Sequence, residues 1–171
     1  MRSKDVNSEP EFVAFVQARQ HRLLRSAYLI CGDHHLAEDL LQNALVKLAL
    51  RWSRVRDGDP EAFVRTILYR DAVSWWRRIR RERLGTDIPE PPPEQGHDVP
   101  TRLLFVRALG RLAPRQRAVL VLRYFDDLSE ARTAEVLGIS IGTVKSQASD
   151  GLRRLRELAP ELGDALREVS R

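Results

Sequence analysis

Cysteine and long apolar stretches are almost absent from this chain. Only Cys31 among the 171 residues carries a thiol, which excludes an internal disulfide and a cysteine-based zinc cluster. No apolar run approaches the roughly 18 residues that a membrane span requires. The first residues, Met1–Asp5, do not begin a secretory signal. These absences predict a cytoplasmic protein that does not associate with a membrane.

Groups that perform catalysis are also scarce. The four histidines show no metal-ligand spacing, and the chain contains neither a phosphate-binding loop nor a nucleophile motif. The sequence therefore predicts no catalytic site, no metal site and no cofactor, and it disfavours an enzyme.

Positive charge is in excess but unevenly distributed. The formal net charge is +5 and the pI is about 10.0. Basic residues outnumber acidic ones by five over residues 1–84 and by four over residues 101–171, whereas residues 85–100 hold four acids and no base. Two basic blocks flanking an acidic segment indicate two modules that bind one polyanion.

The acidic segment is also rich in proline. Five of the sixteen residues 85–100 are proline, and proline lacks the amide donor that a helix or central strand needs. We expect an extended, semi-rigid linker that could span roughly 50 Å at about 3.1 Å per residue.

Helical patterns occupy both sides of this linker. Asp33 and Asp59-Pro60 are typical of helix starts. One helix face is predicted to carry Leu41, Leu45, Leu48 and Trp52. In the second half, helices are predicted near 101–112, 114–125, 129–137 and 140–158. The sequence thus predicts an all-α fold with two helical modules, 8–84 and 101–158, joined by an extended Pro-rich linker, 85–100, and followed by a tail, 159–171.

The segment from Ser129 to Gln147 has the pattern of a helix-turn-helix. Ala134 allows two helices to cross closely, Gly138 suits a turn with positive φ, and Ser140 can cap the second helix. The outward residues of that helix are donors to phosphates or base edges: Thr143, Lys145, Ser146, Gln147 and Ser149. The alternative is an ordinary helical hairpin whose polar residues face water.

Two further clusters carry information. Residues 75–83 place five arginines beside Trp75 and Trp76, which suits phosphate binding and stacking on unpaired bases. The alternatives are a solvated face for the arginines and a core position for either tryptophan.

Residues 37–43 gather Glu38, Asp39 and Gln42 on one helix face, which suits a basic protein partner but is also compatible with a solvated face.

Taken together, these segments resemble a known family. Ala37–Gln42 resembles the polymerase-binding helix of sigma factors, and Leu68–Arg78 resembles the helix that recognises the minus-ten promoter element. Leu112–Leu120 and Leu137–Ser146 resemble the module that binds the minus-thirty-five element. Over residues 11–158 the chain is similar to extracytoplasmic-function sigma factors of the sigma-70 family, in the actinobacterial branch often called SigE-like.

The resemblance implies a transcription initiation factor that binds core RNA polymerase and both double- and single-stranded promoter DNA, with an anti-sigma factor as a common additional partner. Polymerase would be bound by Glu38, Asp39 and Gln42. The minus-ten element would be bound by Phe63, Arg70, Asp71, Ser74, Trp76, Arg77 and Arg78. The minus-thirty-five element would be bound by Arg115, Gln116, Thr143, Lys145, Ser146, Gln147 and Ser149.

Two alternatives stay open at this point. A stand-alone helix-turn-helix regulator that never contacts polymerase would share the second module. The acidic linker would either occupy a basic polymerase channel, by analogy with the family, or serve as a solvated spacer. Within the second module we expect Asp150 to pair with Arg154, four residues on. The alternatives are that it accepts a hydrogen bond from cytosine or only repels phosphates.

Overall fold

The structure is a computed structural model that describes residues 8–82 and 99–162. The N-terminal module, residues 8–82, contains α1 (Ser8–Cys31), α2 (His34–Ala49), α3 (Trp52–Val55) and α4 (Pro60–Glu82). The C-terminal module, residues 99–162, contains α5 (Val99–Gly110), α6 (Pro114–Leu120), α7 (Glu130–Leu137), α8 (Ile141–Leu158) and a 3-10 turn, Pro160–Leu162. Neither described stretch contains a strand, and the predicted all-α fold is confirmed.

The predicted linker falls almost entirely outside the described residues. Its last two residues, Val99 and Pro100, already belong to α5, so the C-terminal module begins two residues earlier than expected. Most of the predicted tail also lies outside the described residues.

Side-chain caps set the helix starts as predicted. Asp33 Oδ1 and Asp59 Oδ1 accept hydrogen bonds of 2.8 and 2.9 Å from the backbone N–H three residues on. Ser129 Oγ and Ser140 Oγ do the same at 3.1 Å. Each cap satisfies an N–H that the helix itself leaves without a partner.

The N-terminal module is a bundle of α1, α2 and α4 around an apolar core. Its fully buried residues include Leu23, Ala27, Leu48, Val64, Leu68 and Ala72. Trp52 is buried as predicted, but it begins α3 instead of continuing α2, which ends at Ala49. Phe12 and Phe15 hold the indole, with ring centroids at 5.4 and 5.6 Å.

The C-terminal module contains the predicted helix-turn-helix. Gly138 lies in the turn after α7 with a φ of +64°, where glycine is favoured. Ala134, Val144 and Ala148 are buried where α7 and α8 pack. Helix α8 also approaches α6 closely, because a Cβ added at Gly151 would lie 3.1 Å from Leu120 Cδ1.

The two modules pack against each other. Helices α1 and α4 contact α5, α6, α7 and the π-helical turn Val121–Phe125 that continues α6. This arrangement, which we call the closed form, decides which surfaces of each module are free. Within the described residues, no helix has the length and apolar character needed to cross a membrane.

Candidate nucleic-acid and protein interfaces

One face of α2 is open to solvent along its whole length. Glu38, Asp39 and Gln42 are all exposed, as the sequence predicted for a surface that binds another protein. Val46 and Leu50 continue this face toward the end of the helix and are 57% and 82% exposed. The α2 face therefore begins with two carboxylates and ends with two unpartnered aliphatic side chains.

Helix α4 carries the residues predicted to bind the minus-ten element. Arg70, Ser74 and Arg78 are exposed and follow one another at spacings of four, which places them on one face of the helix. Phe63 is half-buried, with the Arg51 guanidinium 5.8 Å from its ring centroid. The side chain of Arg77 lies outside the described residues.

Asp71 faces α2 and is engaged there. Its Oδ2 accepts hydrogen bonds from Asn43 Nδ2 at 3.1 Å and from Lys47 Nζ at 3.0 Å. A carboxylate held by two donors has less capacity to accept a hydrogen bond from a base. In this structure Asp71 therefore links α4 to α2.

Trp76 lies at the boundary between the modules. Its Nε1 donates to the carbonyl oxygen of Ile30 at 3.2 Å, and the Arg117 guanidinium lies 4.7 Å from its ring centroid. Arg117 also donates to the Ile30 oxygen at 2.8 Å and to the Gly110 oxygen. In the closed form the Trp76 indole therefore packs between the modules and is half-buried there.

Arg117 is buried and charged. It is only 1% exposed, and burial lowers the pKa of its guanidinium to about 10. Its Nε has no hydrogen-bond partner among the described residues. A buried unpartnered donor costs free energy, so the contacts of Arg117 compensate its burial only in part.

The residues predicted to bind the minus-thirty-five element flank the helix-turn-helix. Lys145, Ser146 and Ser149 are exposed on α8, whereas Thr143 and Gln147 are half-buried. At the start of α6, Arg115 is exposed and Gln116 is half-buried against α8.

Several of these donors have partners within the protein. Thr143 Oγ1 lies 2.8 Å from Ser140 Oγ at the cap. Lys145 Nζ lies 3.6 Å from a carboxylate oxygen of Glu130 on α7. DNA phosphates would compete with these exposed contacts, which are worth little individually.

The expected pairing of Asp150 with Arg154 is wrong. Asp150 Oδ1 lies 3.9 Å from Arg153, while Arg154 donates to Glu157 at 2.9 Å. Glu157 also accepts from Arg153 at 2.9 Å. Since Glu157 accepts from both arginines, Asp150 retains only the long contact with Arg153.

The predicted minus-ten and minus-thirty-five surfaces meet in a single cavity of about 250 Å³. Arg70 and Ser74 line it from α4, and Arg115 lines it from α6. A Cβ added at Gly138 in the helix-turn-helix would lie 3.6 Å from Arg70 Nη2. In the closed form, residues predicted to contact two separate promoter elements therefore face one another.

Asp126 lies between α6 and α7, and the sequence predicted no role for it. Its side chain is fully buried. It accepts hydrogen bonds from Ser26 Oγ at 2.6 Å and from the Tyr69 hydroxyl. The doublet Asp126-Asp127 is the only local signal for it, and that signal does not distinguish the buried carboxylate from its exposed neighbour.

Comparisons with known proteins agree with this architecture. Residues 15–82 match the family Sigma-70 region 2, and residues 102–155 match Sigma-70, region 4. The chain is 39% identical to the RNA polymerase sigma-E factor of Streptomyces coelicolor over 150 residues, covering 86% of this chain and 85% of that one. It is 32% identical to the ECF RNA polymerase sigma factor SigE of Mycolicibacterium smegmatis, covering 90% of this chain and 63% of that one.

A solved structure shares the fold. The sigma factor RpoE of Bartonella quintana, in complex with the anti-sigma factor NepR, superposes with a TM-score of 0.72 at 27% identity. The match covers 87% of this chain and 96% of that one. With the regional matches and the actinobacterial relatives, it follows that this chain belongs to the sigma-70 family of RNA polymerase sigma factors, in the extracytoplasmic-function group.

Proposed function

We propose that this sigma factor docks on core polymerase through the α2 face, captures single-stranded DNA with α4 and reads duplex DNA with α8. It has no catalytic site of its own in this proposal, and it acts in the cytoplasm, where polymerase works. The observation that carries the proposal is the α2 face, where Glu38, Asp39 and Gln42 are exposed together on a module that is otherwise basic.

The chemistry of the α2 face suits a basic helical partner. Its carboxylates would attract lysine and arginine and fix the register of docking. Val46 and Leu50 would supply the apolar contact that long-range charge attraction does not provide. Because Asn43 and Lys47 of α2 donate to Asp71, docking on this helix would also change the position of α4.

The exposed arginines of α4 would bind phosphates, while Ser74 would donate to a base. Melting requires bases to leave the stack, which costs a few kcal/mol that a shaped pocket can offset. On the C-terminal module, Arg115 and Gln116 would hold the duplex backbone so that the start of α8 enters the major groove.

Charge reversal tests the docking surface. Glu38→Lys with Asp39→Lys should abolish capture of core polymerase in a pull-down. Asp57→Lys is the matched control, because Asp57 is an exposed carboxylate of the same module that lies outside α2. Capture that survives in the folded double variant would contradict the assignment of this face.

Salt dependence tests the phosphate contacts of α4. Arg78→Ala should reduce the slope of log K against log salt for a random single-stranded oligonucleotide by about 0.7. Arg54→Ala is the control, because Arg54 is exposed on α3, away from the α4 face. Equal slopes for wild type and Arg78→Ala would show that this arginine only faces solvent.

The same pull-down distinguishes this proposal from the alternative of a stand-alone regulator, because core polymerase would not capture such a regulator.

An anti-sigma partner for this chain stays a prediction. The solved relative is held by one, and co-purification from the native organism would test for a partner of that class.

A further inference from the structure

The boundary between the modules contains a pocket built for one carboxylate. Ser26 on α1 and Tyr69 on α4 donate to the two different oxygens of Asp126. Arg65 Nε lies 3.7 Å from Oδ2 of the same carboxylate. All three groups belong to the N-terminal module, whereas Asp126 belongs to the C-terminal module.

The pocket is closed to water. Ser26 is 1% exposed, Tyr69 is fully buried and Arg65 is 6% exposed. Burial, followed by the charge of Asp126, raises the pKa of Tyr69 well above 10.0. The phenol therefore stays protonated and keeps its hydrogen bond to the carboxylate. A buried carboxylate needs such partners, because an unpaired one is strongly disfavoured.

Local backbone geometry delivers Asp126 to this pocket. The π-helical turn Val121–Phe125 ends with the Asp126 N–H donating to the Val121 oxygen at 2.9 Å. Asp127 follows with a φ of +54°, a conformation that aspartate tolerates better than most residues. Arg22 on α1 donates to the Asp126 carbonyl oxygen at 3.3 Å. The N-terminal module therefore binds both the side chain and the main chain of Asp126.

The pocket matters because the closed form does not fit a promoter. Elements at minus-ten and minus-thirty-five are about 25 base pairs apart, or about 85 Å at about 3.4 Å per base pair. In the closed form Arg70 and Arg115 instead line the same cavity. A sigma factor that contacts both elements has to separate its modules, and Asp126 then has to leave its pocket.

We propose that Ser26, Arg65 and Tyr69 form a carboxylate-binding site whose resident ligand is Asp126, and that filling this site holds the protein in a closed form unable to engage both promoter elements. The first half of this inference stands on geometry alone, and the second half rests on the proposed function. Release of one side chain from one pocket is the step that opens the molecule.

The test is small-angle scattering of the full-length protein. A compact chain of this length has a radius of gyration of about 16 Å, and we expect the free wild type to lie near that value. Asp126→Lys should raise it by several ångströms, because the lysine would face Arg65 in a buried site. Tyr69→Phe with Ser26→Ala removes two donors from the other module and should expand the protein in the same direction.

Asp127→Asn is the control, because Asp127 is the exposed neighbour and asparagine loses the charge while tolerating the positive φ; it should leave the radius unchanged. Far-UV circular dichroism establishes that each variant keeps its helices. If Asp126→Lys loses helix content, the Tyr69→Phe, Ser26→Ala variant decides. A compact Asp126→Lys with native helix content, equal expansion by Asp127→Asn, or an already expanded wild type would each overturn the proposal.

The polymerase pull-down distinguishes failure of this inference from failure of the proposed function. Unchanged compactness in the pocket variants, with Glu38 and Asp39 still required for capture, removes the Asp126 site alone. Expansion in those variants, with capture independent of Glu38 and Asp39, keeps the site and removes the docking assignment.

Discussion

The interior of the N-terminal module and the boundary between the modules are both buried, but they differ in the charged groups they contain. The interior is apolar, with Leu23, Leu48 and Leu68 fully buried and the Trp52 indole packed against two phenylalanines. The boundary adds to its apolar contacts the Asp126 carboxylate and the Arg117 guanidinium, both removed from water.

This difference bears on which contacts persist in every functional state. Apolar burial is non-directional and large, so it stabilises a module in every functional state. A buried ion and its donors must satisfy one another geometrically, and they regain hydration when they separate. The proposed opening therefore keeps each module intact and separates them at the boundary.

The largest effect is expected in the apolar interior of the N-terminal module. Trp52→Ala should lower the free energy of unfolding by about 3–5 kcal/mol, because it removes the indole from a packed aromatic cluster. Urea unfolding followed by circular dichroism measures it. Leu50→Ala, two residues away at an 82% exposed site, should change stability by less than about 0.5 kcal/mol. Similar losses for both would mean that Trp52 is not a core residue.

A smaller loss of stability is expected at the boundary between the modules. Arg117→Met should cost about 1–3 kcal/mol, because the Gly110 and Ile30 carbonyl oxygens lose a charged donor. The loss should be moderated because the buried cation, with its unpartnered Nε, is removed at the same time. Thermal unfolding measures the loss. Arg115→Met, at an exposed position of the same helix, is the control variant. A loss as large as that of Trp52→Ala would contradict the division into core and separable boundary.

The third prediction concerns packing inside the C-terminal module. Gly151→Ala should destabilise the protein by about 1–2 kcal/mol, because its Cβ would press on Leu120 in the α6–α8 contact. Gly142→Ala, near the start of the same helix, meets only Ser140 Oγ at 3.8 Å and should stabilise by about 0.5–1 kcal/mol. Urea denaturation of both variants should give changes of opposite sign. Equal signs would show that α8 is not close-packed at Gly151.

The smallest effect is a chemical one at Cys31. Burial raises the pKa of its thiol from an ordinary value of about 9 to about 11. Since the thiolate is the reactive form, alkylation should be slow at neutral pH and rise toward pH 11. The folded state holds this proton more tightly than the unfolded state does, so the contribution to stability is complete below pH 9 and falls as the pH rises to 11. Iodoacetamide labelling followed by mass spectrometry measures the profile, and a midpoint near 9 would contradict the burial of this thiol.

Local features of the fold were predictable from sequence. Asp33, Asp59, Ser129 and Ser140 cap helices because a short polar side chain reaches its own backbone three residues on. Gly138 adopts a positive φ because the turn demands it. Such features depend on a few adjacent residues, and the structure confirms them.

Features that depend on distant residues were not predictable. The Asp126 pocket joins residues that are 57 and 100 positions apart, and no local pattern relates them. Asp150 illustrates the limit within one helix, since Arg153 and Arg154 are both within its reach and the choice is set by Glu157. The roles of individual DNA-facing residues stay predictions, because exposure alone does not select among them.

The most direct test of a separable boundary is the distance between the modules in the free and promoter-bound states. Spin labels at Val13 of α1 and Glu161 of the final turn, both exposed, would report it by pulsed electron resonance in a Cys31→Ala background. The account predicts a narrow distance distribution in the free protein. In the complex with polymerase and promoter DNA, the distance should lengthen by tens of ångströms, because the two elements are about 85 Å apart. An unchanged distance in a complex that initiates transcription would contradict the account.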